Sequence, residues 1–175
     1  MLIDTPLKSG NLILKNLTIE NAEINYVSWL NNKIINKFTE SRFVEHTEES
    51  TAQFIESNNR SDNTLLLGIF ENDNHIGNIR AVFDWNHKTA SIGLIIGDLS
   101  SHGKGIGSQS ISVLSNYLFE KKEIFKINAG LYESNLASLK AFQKAGFDEE
   151  YRKKRHVINN DGGREDVIMM VKYAR

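Results

Sequence analysis

From Asn11 to Thr18 apolar and polar residues alternate (NLILKNLT), the period of a half-buried strand. The period then lengthens. Ala22, Tyr26, Leu30 and Ile34 recur every four residues and predict a helix with one apolar stripe, capped by Thr18 with Glu20 in its first turn. Thr47, Glu48 and Glu49 open a second helix that runs through Phe54 and Ile55. Three short apolar runs follow: TLLLGIF from Thr64, HIGNIRAVFD from His75 and TASIGLIIGD from Thr89. The turns ENDN and WNHK separate them, and the runs predict three antiparallel strands. After SSHGKGIGS a helix carries Ile111, Leu114 and Leu118, and KINAGLY (Lys126 to Tyr132) is a strand. A last helix runs from Asn135 to Ala145, with Gly146 where a left-handed residue is wanted. Tyr151 to Ile158, the turn NNDGG and EDVIMMVKY close the chain as a hairpin. The order is α+β, with a strand-helix-strand unit from Thr89 to Tyr132.

Length and composition narrow the class. One domain over residues 1–175 is expected, because no linker, repeat or low-complexity tract marks a boundary. The net charge of −1 gives no general attraction to nucleic acid or an anionic membrane. There is no cysteine, which removes disulfides and thiolate chemistry and suits a reducing cytoplasm. No signal pattern and no apolar run of about 20 residues is present, so a cytoplasmic protein without a membrane partner is expected. The histidines lack metal-ligand spacing, so no metal is expected.

The candidate chemistry lies in Ser100–Ser108, where Gly103, Gly105 and Gly107 alternate with other residues between a strand and a helix. The first N–H groups of a helix have no intrahelical partner and carry partial positive charge, and glycines let a phosphate approach them. The loop is not a Walker loop, because Gly97 lies one residue too far from Gly103 and Lys104 is followed by Gly105. It is not the dinucleotide fingerprint either, because Ser108 replaces the last glycine.

The loop resembles [QR]-x-x-G-x-[GA] of the GNAT superfamily of acetyl-CoA-dependent N-acetyltransferases. Gly105 and Gly107 match its glycines, and His102 stands where Gln or Arg is usual. NLASLKAFQKAGF (Asn135 to Phe147) resembles the second segment of that superfamily, with one helix and one strand between the two. The layout is closest to the Rim-type and amino-sugar acetyltransferases.

The resemblance implies a mixed, largely antiparallel sheet flanked by helices, with a splayed strand pair that binds acetyl-CoA. Ile95, Ile96 and Gly97 would pair with the pantetheine arm. The loop from His102 through Gly103, Lys104, Gly105, Ile106 and Gly107 to Ser108 would hold the pyrophosphate, and Asn135 and Phe142 would flank the cofactor. A neutral amine would attack the thioester directly, and backbone N–H groups would stabilise the oxyanion. The usual tyrosine proton donor is replaced by Phe142, so Ser138, one turn earlier, is the substitute, with Tyr132 and Tyr117 behind it. Asp98, Glu40, Glu45, Glu48, His46 and His75 are all candidates for a base, and a water could serve instead.

The acceptor is expected between the first two helices and the C-terminal hairpin. Trp29, Glu40, Arg42 and His46 are its candidate side chains. WLNN…FTESRF…HTEE resembles acetyltransferases that act on nucleotide-linked amino sugars, for which Arg42 or the RKKR strand would supply a cation. Two alternatives stay open: a Rim-type enzyme acting on protein N-termini, and a non-catalytic acetyl-CoA sensor. A homodimer also stays open. Bland readings accompany these. Trp29, Trp85 and Phe43 can be core or rim aromatics, and RKKRH can be a solvated edge strand.

Overall fold

The computed structural model describes residues 1–22 and 24–174. Its eight strands are β1 (Leu7–Ser9), β2 (Leu12–Asn16), β3 (Thr64–Glu71), β4 (Asn74–Asp84), β5 (Thr89–Ile96), β6 (Lys126–Tyr132), β7 (Asp148–Ile158) and β8 (Arg164–Tyr173). The helices are α1 (Ile24–Asn31), α2 (Glu48–Arg60), α3 (Ile106–Lys122) and α4 (Leu136–Lys144). Short 3-10 turns cover Ile19–Ala22, Glu40–Phe43 and Leu99–Ser101. One sheet orders the strands β1-β2-β3-β4-β5-β6-β8-β7. Every neighbouring pair is antiparallel except β5 and β6.

Alternation along the strands divides the apolar residues between two layers. In β3, Leu65, Leu67 and Ile69 join Ile111, Leu114 and Leu118 of α3 and Phe142 of α4 in the larger core. Leu66 and Phe70 turn the other way, to Tyr26, Trp29 and Leu30 of α1 and Ile55 of α2. The sheet is therefore sandwiched between α3/α4 and α1/α2. No helix among the described residues is long and apolar enough to cross a membrane.

The Thr47 start acts as read, whereas Thr18 precedes the 3-10 turn Ile19–Ala22 and does not cap α1. The Thr47 hydroxyl accepts from the Ser50 N–H at 3.1 Å and the Ser50 hydroxyl from the Thr47 N–H at 2.9 Å, a reciprocal box that starts α2. The helix expected from Ala22 to Ile34 is shorter. It ends at Asn31, and Ile34 lies beyond it with 65% of its surface exposed. Asparagines end it, because the buried Asn36 side chain donates to the Leu30 carbonyl at 2.6 Å. The side chain of Ala22 lies outside the described residues. β1 was not expected; three residues are too few to show a period. β7 begins at Asp148, three residues before the expected start, and forms the solvated edge of the sheet.

Candidate active site

β5 and β6 are paired only at Thr89–Lys126, Ala90–Ile127 and Ser91–Asn128. Beyond Ser91 they part, while β5 stays paired with β4 as far as Ile96. The Gly97 N–H bonds to the Ile76 carbonyl at 2.9 Å. By strand alternation the N–H groups of Gly93 and Ile95 then face β4, and those of Leu94 and Ile96 face the gap. The gap opens into a cleft of about 910 Å³ that runs from the glycine loop, past α4, to the loop after α1.

At the loop end, Gly105 is the residue before α3 and sits at φ +83°, a left-handed conformation that glycine adopts without strain. No side chain caps the helix, and its first backbone bond is from Gln109 N–H to the Gly105 carbonyl at 3.0 Å. The N–H groups of Ile106, Gly107 and Ser108 are left to a ligand, and the helix dipole favours an anion there. The Ser108 hydroxyl is occupied, donating to the Gly105 carbonyl at 2.9 Å. Sequence reasoning missed a cation at this end. Lys144 Nζ lies 3.8 Å from where a Gly105 Cβ would stand.

His102, expected as a phosphate contact, has its Nε2 2.8 Å from the Ile96 carbonyl, where the ring tethers the loop to β5. Gly97 has a packing reason to be glycine, because a Cβ there would lie 1.9 Å from the Trp29 ring. Trp29 itself is 7% exposed and sits in the smaller core. Its bulk is spent on Gly97 and His75, not on the cleft.

Along the wall formed by α4, Ala137, Ser138 and Ala141 line the cleft. Asn135 caps the helix, its Oδ1 accepting the Ser138 N–H at 3.1 Å. The half-buried Ser138 hydroxyl makes no hydrogen bond among the described residues, which leaves it available as a donor. Phe142 also borders the cleft but is buried against Phe147, so its ring supports α4.

At the far end, the Tyr132 hydroxyl donates to Glu40 Oε1 at 2.8 Å. Burial raises the pKa of this phenol, and the neighbouring carboxylate raises it further. Glu40 is the one base candidate of the six that lines the cleft. Asp98 is held below the usual carboxylate range by the hydroxyls of Ser101 and Ser100, which makes it a weak base. His75 is stacked on Phe70 beside Trp29, and Glu48 sits in the first turn of α2.

Two expected acceptor residues have other tasks. The Arg42 guanidinium donates to Asn160 Oδ1 at 2.6 Å, to the Lys37 carbonyl at 3.2 Å and to the Ile158 carbonyl. It clamps the turn of the β7–β8 hairpin, which engages both terminal nitrogens. His46 exchanges backbone bonds with the Asn31 side chain, at 2.7 and 2.9 Å, and fixes the approach to α2. Within the RKKR strand, Arg152 is paired to Glu133 and Glu149 and Lys154 to Asp166. Among the described residues, no group of three or more metal-binding side chains is placed to hold an ion.

The uncapped start of α3 and the parted strand pair thus open on one cleft, which Glu40 and Tyr132 also line. Residues 11–148 match the acetyltransferase (GNAT) domain, and the chain belongs to that family. It is 35% identical over 63 residues to the probable N-acetyltransferase YjcK of Bacillus subtilis, a match covering 36% of this chain and 34% of that protein. The chain thus spans about a third of that relative's length. Its fold is similar to that of RimL, a ribosomal L7/L12 alpha-N-protein acetyltransferase solved with coenzyme A. The TM-score is 0.87 at 19% identity, covering 97% of this chain and 98% of that one. It is also similar to the microcin C7 self-immunity acetyltransferase MccE, solved with acetyl-CoA and AMP. There the TM-score is 0.80 at 21% identity, covering 94% and 93% of the two chains.

Proposed function

We propose that the protein transfers the acetyl group of acetyl-CoA to a primary amine, and that the acceptor is the amino group of a small, nucleotide-linked amino sugar. The parting of β5 from β6 beyond Ser91 carries the transfer reading. It leaves the Leu94 and Ile96 N–H groups free to pair with the cofactor arm or to face the oxygen of its carbonyl. The uncapped start of α3 fits a pyrophosphate. When bound, acetyl-CoA supplies a thioester at the reach of these groups. Glu40 is positioned to take a proton from the amine, directly or through water, and Ser138 to return one to the departing sulfur.

A nucleotide portion is in keeping with MccE, whose complex holds AMP. The rival acceptor is a protein N-terminus, and the likeness to RimL favours it. A screen following thiol release from acetyl-CoA separates them, with amino sugars, nucleotide-linked amino sugars, peptides and polyamines side by side. Turnover is expected with nucleotide-linked amino sugars. Robust acetylation of a peptide N-terminus with none of any amino sugar would overturn the acceptor.

A further inference from the structure

Arg42 is committed to the hairpin, yet the acceptor end of the cleft holds a second arginine that the sequence did not single out. Arg80 lies on β4, on the cleft face with Asn78 and Val82. Its Nε donates to Asn58 Oδ1 at 2.7 Å, and its Cζ lies 5.7 Å from the Phe54 ring centre. The rest of the guanidinium has neither a hydrogen bond nor an ion pair among the described residues, where the ion pairs use other cations. Asn58 and Phe54 orient the group without neutralising it. A half-buried guanidinium without a counter-charge is unfavourable unless a ligand supplies one.

Two neighbours point the same way. Asn78 is 3% exposed, and its Oδ1 is 2.9 Å from His75 Nε2, while its Nδ2 is buried without a partner among the described residues. A buried donor of this kind is costly until something accepts from it. Gly93 is the partner of Arg80 across the strands, and a Cβ there would meet nothing within 4 Å. The floor beside the guanidinium is therefore open.

We infer that Arg80 and Asn78 form a subsite for an anionic oxygen group carried by the acceptor, a phosphate or a carboxylate. Glu40, the base candidate for the amine, lines the same cleft. The acceptor is then an amine that bears its own anion, and the subsite selects against neutral and polycationic amines. The guanidinium fork matches such a group through two parallel N–H bonds. This inference rests on the acetyl-transfer reading for the role of the acceptor, but the subsite can be tested without turnover.

The test is calorimetric titration of UDP, glucose 1-phosphate and a dicarboxylate (malate) into protein saturated with coenzyme A, which blocks the loop end. Wild-type protein should bind at least one phosphate or carboxylate probe. Arg80→Met should weaken that binding by about 10- to 100-fold, the worth of one to two charge-assisted bonds. Arg80→Lys should recover part of the loss, since it keeps the charge without the fork. Asn78→Ala should lose less than Arg80→Met. Coenzyme A affinity, measured first on each variant, shows that the fold persists. No binding by wild-type protein, or equal binding by Arg80→Met, overturns the subsite. Arg80-dependent anion binding in a protein that acetylates no amino sugar leaves the subsite standing and refutes the proposed acceptor. Whether UDP and glucose 1-phosphate or malate binds decides between phosphate and carboxylate.

Discussion

The two ends of the cleft are made of different material. The loop end is built from main chain, namely the N–H groups after Gly105 and the unpaired edge of β5. The proposed acceptor end is built from side chains on three separate segments: Glu40, the β4 pair Asn78 and Arg80, and Tyr132. A backbone site needs only a short run of small residues at the right junction, and it tolerates a change of side chain such as His102. A side-chain site needs particular groups brought together from distant positions, and each can be redirected by one neighbour.

That contrast can be broken most severely at Gly105. Gly105→Asp places a side chain at φ +83° and a negative charge where the helix start would meet phosphate. Acetyl-CoA binding by calorimetry should fall below detection while the circular dichroism spectrum stays native. Retained affinity in a folded variant would show that the main chain is not the site. Next in size is Ser138→Ala, for which kcat should drop by roughly 10²–10⁴-fold with acetyl-CoA affinity little changed. Turnover at the wild-type rate would assign the proton to Tyr132 or to water.

A smaller effect separates the two layers by pH. Burial pushes the Tyr26 phenol up to about 12 from an ordinary 10.0. The unfolded chain therefore loses this proton first as pH rises. The stabilisation is complete below pH 10 and is lost on the way to about 12, at up to about 1.4 kcal/mol per pH unit. Tyr26→Phe should flatten that part of the curve in urea melts; an unchanged slope would mean that another group titrates. The smallest change expected is His102→Ala. Its ring holds only the Ile96 carbonyl, so acetyl-CoA affinity should move by about 0.5 kcal/mol or less, a factor of about two.

The same contrast explains what the sequence revealed. The strands from Thr64 to Asp98, the starts of α2 and α4 and the glycine loop were legible because each is written in neighbouring residues: a period, a capping residue before a helical run, a strand-helix junction. The acceptor end was not. Arg42 reads as a phosphate cation in isolation, and only its bonds to Asn160 and Ile158, more than 100 positions away, reveal a clamp. Arg80 sits in an ordinary strand pattern, and its unpaired charge depends on what α2 and β5 present to it. Trp29 looks like a binding aromatic until Gly97 is found beneath it. The early end of α1 depends on Asn36, a polar residue reaching back to a carbonyl six positions earlier.

The clamp made by Arg42 has a consequence for how such a protein can change. It fastens the segment that carries Glu40 to the tip of the last hairpin, and Tyr132 joins both to β6. The wall on the proposed acceptor side is therefore hung from the C-terminal turn as well as from the end of α1, to which Asn31 ties it through His46. Lengthening or shortening the turn at Asn159–Gly163 would swing Glu40 relative to β4 without touching a residue that meets either substrate. Substrate range can then drift through a remote, tolerant surface loop, while the machinery that holds the common donor stays fixed.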